Sequence, residues 1–503
     1  MLRGTALIAV VACLLVAPAT ASAGKNLEAT FQDDKELIYT TPGHRAAVLD
    51  QLRDLGVDRI RATILWRAIA PSPDATTDPG VDMTDPESYG AAWAPYDDLV
   101  RGAAARGIKL NFNVSGPSPL WANRPAPRPD VAESFEPGPQ AFGAFVRAVG
   151  RRYAGDYVDA DGQAIPRVDY WSIWNEPNHA TWLTPTWAQT DGGAYFPRSA
   201  ALYRALADQA YAALRDTTHG RDRILVGETA PAGNAKRGVR QFMLPLAFVR
   251  GLYCVNRKLE PLTGARAERM DCPADPARMT EEHPVLFEAT GFAHHPYTGL
   301  KPDVPARTYD SVTIGALDRL TETLDTTFRA YGKRRRMPLF LTEFGYQTNP
   351  PDTFGVSLRN QAKFINQSEF IAFKNKRVRT LGQFLLVDDT RADSANFQTG
   401  LVLRAGRRPK PSLDAYRLPL WLEGKGTRPE LFAVLRPAPN GSPATAELQF
   451  RARGGGEWRT LRTLRSQGRF NYVNRRVRFP GPGAARIAYG DHRSRVARVR
   501  SRP

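Results

Sequence analysis

From Leu27 to about Leu420, short runs of apolar, β-prone residues alternate with stretches whose apolar positions recur at helical spacing. The candidate strands are Leu27–Gln32, Arg59–Trp66, Lys109–Val114, Val168–Trp174, Arg223–Gly227, Gly291–His295, Met337–Thr342 and Leu381–Val387. Runs that are apolar on successive residues, bounded by turn formers, suit strands covered on both faces in a parallel sheet. Between them lie helical patterns such as His44–Leu55 and Tyr96–Arg106, each followed by a glycine, Gly56 and Gly107, where helices commonly stop. The unit repeats: Leu55-Gly-Val-Asp-Arg-Ile60 and Arg106-Gly-Ile-Lys-Leu110 are near copies. Eight such alternations predict an α/β fold, a (β/α)8 TIM barrel over residues 24–420, with its functional residues at the C-terminal ends of the strands. The stretch 232–288 is too long for a turn and contains a helical pattern at Phe242–Val249, so it reads as a helix carrying an ordered insertion. Pro409–Tyr416 reads as the last helix.

After Leu420 the period changes. Ala446–Ala452, Trp458–Thr463 and Tyr472–Phe479 alternate apolar with polar residues between Gly-rich turns, which predicts a small antiparallel β-sandwich over residues 421–503. A chain of 503 residues suits one large domain plus such a smaller one. The second domain is expected to form its own core and to be separable from the barrel.

The first residues change the picture of where the chain works. Arg3, the apolar stretch Ala6–Ala17 and Ala21-Ser-Ala23 read as a secretory signal peptide over residues 1–23, too short in its apolar part to span a bilayer. Cys13 follows Val-Val-Ala and faintly resembles a lipoprotein box, but the apolar run continues past it. No later segment is apolar enough to cross a membrane, so no integral membrane segment is expected and the location is secreted or extracellular, the cell envelope included. Loss of the leader would leave Cys254 and Cys272, which in an exported protein are expected to form a disulfide pinning the 232–288 insertion. A metal site there would need more ligands than Asp271, Asp275 and the distant His283, and neither a metal nor a cofactor is expected.

Charge is uneven as well. Of the net +18, residues 404–503 supply most, with 23 Lys and Arg against 6 Asp and Glu. Such a surface suits an anionic partner, and export favours an acidic polysaccharide or anionic cell-wall polymer over nucleic acid; a solvated basic face with no partner remains the alternative.

Two glutamates carry the chemistry. Glu176 ends the apolar run Tyr170-Trp-Ser-Ile-Trp-Asn-Glu-Pro177, and Glu343 ends Pro338-Leu-Phe-Leu-Thr-Glu-Phe-Gly345. A lone buried carboxylate costs several kcal/mol unless it has partners or work, so the mouth of the sheet is where such residues belong. Two carboxylates on different strands are what cleavage of a glycosidic bond requires: one acid for the leaving oxygen, and one group to attack the anomeric carbon or activate water. Trp66, Trp121 and Trp182 fall in or just after segments expected at the mouth, where flat indoles suit the C–H faces of sugars.

With these residues in view, most of residues 27–420 resembles the retaining β-glycoside hydrolases of clan A, of the family 5 (cellulase-like) and family 39 type. The likeness is strongest at Trp174-Asn-Glu-Pro-Asn178, His295-Pro-Tyr297 and Leu341-Thr-Glu-Phe-Gly345. It implies that Glu176 is the acid/base and Glu343 the nucleophile. Arg61 and Tyr297 would then sit near Glu343, Asn175 on the sugar 2-hydroxyl and His295 beside them, with Trp66 and Trp182 on substrate. An acid role calls for a raised Glu176 pKa, which the charge of Glu343 and the apolar wall around Trp174 are expected to supply. The chain departs from the pattern in two places: Phe384-Leu-Leu-Val-Asp-Asp389 lacks the usual Trp at the end of strand 8, and Asn113-Val-Ser-Gly116 lacks a His after strand 3.

The expected activity is a secreted retaining glycoside hydrolase acting by double displacement on a β-linked poly- or oligosaccharide. The alternative is a non-catalytic carbohydrate- or cell-wall-binding protein on the same scaffold. A metal-dependent hydrolase using His294 and His295 would need a His-x-His at the end of strand 1, where Phe31-Gln-Asp-Asp34 stands.

Overall fold

The computed structural model describes residues 27–390 and 397–500. The leader expected at residues 1–23, with Cys13, lies outside them. Eight parallel strands close into a barrel: β1 (Glu28–Gln32), β2 (Arg59–Leu65), β3 (Lys109–Ser115), β4 (Tyr170–Ile173), β5 (Arg223–Thr229), β6 (Gly291–His294), β7 (Leu339–Phe344) and β8 (Val378–Phe384), with β8 pairing back onto β1. Each strand is followed by a helix on the outside: α1 (Pro42–Asp54), α2 (Ala94–Ala105), α3 (Pro139–Arg152), α4 (Arg198–Asp216), α5 (Pro245–Leu252), α6 (Leu317–Ala330), α7 (Leu358–Lys374) and α8 (Pro411–Arg417). The expected (β/α)8 TIM barrel is present.

Alternation along β2 shows how the barrel is filled. Ile60, Ala62 and Ile64 join the apolar core, while Arg59, Arg61 and Thr63, also buried, are the alternate set. Near the bottom, Tyr170, Leu225, Ala293 and Phe340 form a small apolar plug, and the Arg59 guanidinium lies 4.1 Å over the Tyr170 ring. Further up, the buried side chains turn polar, with Gln32, Arg61, Thr63, Asn113, Glu228 and Thr342 all shielded from solvent.

Strand 8 lies three residues earlier than the apolar run Leu381–Val387 suggests. Its register is set by pairing Glu28 to Gln32 against Thr380 to Phe384. The run Leu385-Leu-Val387 has already left the sheet: Leu385 takes φ +71°, and the N–H groups of Leu386 and Val387 donate to the Asp33 carboxylate. In the 232–288 stretch, α5 begins at Pro245 rather than Phe242, and Cys254 and Cys272 are disulfide-bonded, closing the segment that follows it.

Beyond the barrel, β9 (Leu420–Glu423), β10 (Glu430–Val434) and β13 (Tyr472–Arg476) form one antiparallel sheet, in the order β9-β10-β13. A second sheet joins β11 (Thr445–Ala452), β12 (Arg459–Arg465), β14 (Gly483–Tyr489), β15 (His492–Arg493) and β16 (Ala497–Val499). Leu431, Ala433 and Val473 of the first sheet and Leu448, Leu464 and Ile487 of the second share one core.

The C-terminal unit has this core of its own and also shares a buried interface with the barrel. β10 is buried on both faces: Leu431 and Ala433 serve the sandwich, while Phe432 and Val434 belong to the barrel core, with Phe432 against Phe370 and Phe373 of α7. Tyr472 stacks on Phe373 and donates to the Leu27 carbonyl. Arg436 grips Glu369 with two bonds of 2.8 and 2.9 Å, and both residues are buried. Gly56 is required at this junction, since a Cβ there would lie 2.1 Å from the Arg436 carbonyl oxygen.

Arg436→Ala strands the Glu369 carboxylate in this interface and is expected to cost about 3–5 kcal/mol in denaturant unfolding of the full chain. A loss below about 1 kcal/mol, the size of an exposed pair, would show the two units to be energetically independent.

Candidate active site

The site is built where β4 ends and the backbone breaks from extended geometry. Trp174 and Glu176 take φ of +64° and +37°, a left-handed conformation that costs non-glycine residues of the order of 1–3 kcal/mol and persists only when the surroundings hold it. They do so here. The Asn113 amide donates to the Trp174 carbonyl, and the Glu176 N–H donates to the Glu228 carbonyl at 2.9 Å. Asn178 stitches the connection to the one after β5: its amide donates to the Ala230 and Met243 carbonyls, and its side-chain oxygen accepts from Ala230 N–H. The Trp174 ring is buried edge-on to Phe142, 5.0 Å between centroids, and Gly116 lets it pass because a Cβ there would sit 2.7 Å from the ring.

Glu343, within β7, faces this turn. Its two oxygens accept from Arg61 Nη1 at 2.7 Å and from the Tyr297 hydroxyl at 3.1 Å. Arg61 also donates through Nη2 to Asn175 Oδ1 at 2.8 Å and to Glu228 Oε2 at 3.2 Å. His295 completes the cluster: Nδ1 lies 2.9 Å from Glu176 Oε1 and Nε2 lies 2.7 Å from Glu228 Oε2. A carboxylate oxygen of Glu176, one of Glu343 and a nitrogen of His295 all lie within 4.8 Å of one another. Both His295 nitrogens thus face carboxylate oxygens.

Burial alone would depress His295, but the charge of Glu343 and the hydrogen bonds to Glu176 and Glu228 push it up to about 10. It is therefore an imidazolium that donates from both nitrogens. Burial works to raise Glu228, yet the charge of Arg61 and the bond from His295 hold it at about 2. Burial likewise works to raise Glu176, but the hydrogen bond and charge of His295, with smaller help from His179 and Arg61, hold it below the ordinary carboxylate value. The expectation of a raised Glu176 is thus reversed, because the nearest charge to it is the His295 cation.

Glu176 and Glu343 open onto a cavity of about 440 Å³ whose lining includes Asp34, Asn175, Trp182, Phe384 and Phe397. Phe384, at the end of strand 8 where a Trp was looked for, meets Phe397 edge-on at 5.0 Å, and the two supply an aromatic wall. Asp34, bonded to the Thr63 N–H and the Gln32 amide, is raised by burial to about 6.

Of the residues singled out for substrate, Asn175 and Trp182 line this cavity, and Tyr297 is half-buried beside Glu343. Trp66 does not reach it. The strand stops at Leu65 and Trp66 opens a short helix, which turns the indole into the core against Trp121, Phe142 and Phe145. Trp121 packs edge-on to Trp66, donates to the Pro71 carbonyl and is outside the cavity lining. Arg61 and His295 have no exposed surface, so they act on the carboxylates rather than on a sugar. His294 is a loop anchor, bonded to Thr229 and to the Val312 carbonyl and driven by burial to about 4.

Glu228 is the residue that sequence reading missed. Its run was closed at Gly227, where φ is +103° and the pairing with β6 shifts register. Ile224-Leu-Val-Gly-Glu228 nevertheless has the form of the other two, an apolar run ending in Glu.

No protein-family model matches the chain, and no curated protein matches it. Among solved structures the chain is similar to a family 39 glycoside hydrolase from the gut symbiont Bacteroides cellulosilyticus, at 14% identity over 90% of this chain and 79% of that one, TM-score 0.48. It is also similar to the GH5_18 protein from Streptomyces cattleya in complex with GlcNAc, at 14% identity over 79% and 80% of the two chains, TM-score 0.48. A third is a β-glucosidase from Thermotoga maritima, at 13% identity over 78% and 96%, TM-score 0.45. At such identities the likeness reaches no individual side chain.

The charge cluster sets a stability profile against pH. His295 is raised from 6.5 to about 10, so its contribution is complete below about pH 6.5 and is lost as pH rises through about 10; Glu228, lowered from 4.5 to about 2, contributes fully above about pH 4.5 and is lost as pH falls toward 2. Urea unfolding from pH 6.5 to 10 should show a steady fall in the wild type. In His295→Asn that slope should be reduced, and an unchanged slope would exclude a buried imidazolium.

Proposed function

We propose that the protein is an exported retaining glycoside hydrolase cleaving a β-linked poly- or oligosaccharide by double displacement. The observation that carries this reading is the pair of carboxylate oxygens within 4.8 Å at the mouth of an aromatic-walled cavity. Retaining enzymes place their carboxyl groups about 5–5.5 Å apart, whereas inverting ones leave about 6.5–9.5 Å for a water between them. Export is supported by the leader-like residues 1–23 and the Cys254–Cys272 bond.

In this reading Glu343 attacks the anomeric carbon, forming a glycosyl ester as the bond to the leaving oxygen breaks. Arg61 and Tyr297 hold the nucleophile aimed through their hydrogen bonds to its two oxygens. The leaving oxygen takes its proton from Glu176, and the proton that Glu176 lacks at rest is held on His295 Nδ1, 2.9 Å away. Esterification removes the charge of Glu343, the largest influence holding the proton on His295 against burial, which eases its transfer. Water then attacks the anomeric carbon, its proton returns to the Glu176–His295 pair, and Glu343 is released as carboxylate. Asn175, fixed by Arg61, presents its amide to a sugar hydroxyl.

Glu343→Ala should abolish turnover on every substrate and regain it with azide, giving the inverted glycosyl azide. Glu176→Ala should keep glycosylation only for substrates with activated leaving groups. A chromogenic β-glycoside panel with product stereochemistry by NMR checks both. An inverted product from the wild type would sink the retaining assignment, and no hydrolysis of any glycan would favour a non-catalytic binding protein.

We also propose that the C-terminal unit holds an anionic polysaccharide or cell-wall polymer. A groove of about 910 Å³ there is lined by Lys425, Arg451, Arg453, Arg498 and Arg500 with no acidic residue among its lining, and Trp458 lies between Arg451 and Arg486 at 4.8 and 4.3 Å. Retention of the full chain on an acidic polysaccharide should fall steeply as salt rises, since exposed charges are screened within about 8–10 Å at physiological ionic strength. Absence of retention at low salt would leave this surface as a solvated basic face.

A further inference from the structure

A second groove, of about 580 Å³, lies outside the catalytic cavity. One side is a small hairpin, Ala188–Gln189 paired with Tyr195–Phe196, in the connection between β4 and α4, and it contributes Trp187, Tyr195 and Phe196. The opposite side is the segment closed by the Cys254–Cys272 bond, which contributes Arg257, Arg266 and Arg269. All three guanidinium groups are exposed, and among the described residues none makes a hydrogen bond or ion pair through its side chain. Arg237 joins them with its guanidinium 5.1 Å over the Trp187 ring. The one acidic residue in the lining, Asp310, is already neutralised by a two-pronged bond from Arg250. Of the carboxylates on the pinned segment, Glu260 accepts from Asn256 and Asp271 pairs with Arg198; Glu268 is exposed and outside the lining.

Four uncompensated guanidinium groups facing aromatic rings make a surface for a ligand with both fixed negative charge and flat apolar faces. We propose that this groove binds an anionic glycan segment, one carrying carboxylate or sulfate groups, as an accessory site of the same molecule. The guanidinium forks pair with carboxylate or sulfate oxygens, and the indole and phenol rings take the C–H faces of the sugars. The disulfide closes the arginine-bearing segment on itself, and its end is tied to α4, the helix that follows the hairpin, by the Arg198–Asp271 pair and by Arg204, which donates to the Met270 and Asp271 carbonyls. The choice of a glycan over another polyanion rests on the glycosidase reading. Trp182 of the catalytic cavity and Trp187 of the groove stand on the same connection after β4, so one chain-like substrate can engage both.

The test is isothermal titration of the full chain carrying Glu343→Gln, so that nothing is turned over, in a background with Arg451, Arg453, Arg498 and Arg500 changed to Ser to silence the C-terminal groove. Polygalacturonate, dextran sulfate and uncharged dextran are the probes, and the first two separate carboxylate from sulfate recognition. Adding Arg257→Ser, Arg266→Ser and Arg269→Ser is expected to weaken binding of at least one charged probe by about tenfold or more, the loss of strong charge-assisted bonds. Trp187→Ala should weaken it as well, which a purely electrostatic surface would not show. Unchanged affinity in the triple variant, equal binding of uncharged dextran, or tighter binding of a DNA duplex than of either charged glycan would each overturn the proposal. A chain that hydrolyses no glycoside yet loses glycan affinity in the triple variant would leave the groove standing and remove the catalytic reading alone.

Discussion

Arg61 is a cation without any solvent contact, and the mouth of the barrel is arranged around the need to satisfy it. An unpaired buried charge is far more costly than the fold can bear, so its donors must end on acceptors. Its two Nη groups end on Gln32, Asn175, Glu228 and Glu343, from four different strands or their ends, and Nε is the one donor that meets no partner among the described residues. Those carboxylates in turn need more positive charge than one guanidinium supplies, and His295 provides it between Glu176 and Glu228. Three carboxylates against two cations leave one net negative charge at the point where Glu176 and Glu343 approach. A preorganised excess of that sign suits a reaction whose transition state develops positive charge on the sugar ring.

The same requirement accounts for the backbone. Carboxylates on parallel strands do not converge by themselves, and Trp174, Glu176 and Glu228 all adopt left-handed φ to bring them together. The unfavourable conformations are held by Asn113, Asn178 and the Glu176 N–H to Glu228 carbonyl bond, which tie three strand ends to one another. Conformational stiffness at the site is thus a product of its polar contacts, and the apolar core serves mainly to keep the strands in register.

Much of this was legible in the chain. Runs apolar on successive residues marked strands covered on both sides, and Gly56 and Gly107 marked helix ends, because those features follow from local burial and backbone freedom. Glu176 and Glu343 stood out as charges at the edge of such runs. Glu228 did not, since Gly227 looked like the end of its strand when it was a bulge within it. Trp66 was misplaced because a strand end and the first turn of a helix look alike when both are apolar. The docking of the C-terminal sheets also has a sequence signature: Leu431-Phe-Ala-Val-Leu435 does not alternate, which is the mark of two-sided burial, but it lies outside the alternating runs that defined the domain. What no local pattern discloses is which distant charge will neighbour which, and the reversed pKa of Glu176 turns on that.

The surfaces a substrate would meet differ in sign. The catalytic cavity is lined by Asp33, Asp34, Asp389, Glu176 and Glu343; its two cations are already committed, Lys35 to Asp389 and Arg404 to Glu36. In the groove beyond Trp187 four of the lining arginines, Arg237, Arg257, Arg266 and Arg269, have no such commitment among the described residues, and only Arg250 is paired, to Asp310. A carboxylated sugar would be repelled at the first and held at the second. If both sites serve one glycan, the unit bound at Glu343 must be uncharged and the anionic groups must lie some residues away along the chain. The two electrostatic regions then act together as a register, drawing the polymer toward the protein through its charged stretch and admitting only its neutral units to the carboxylates.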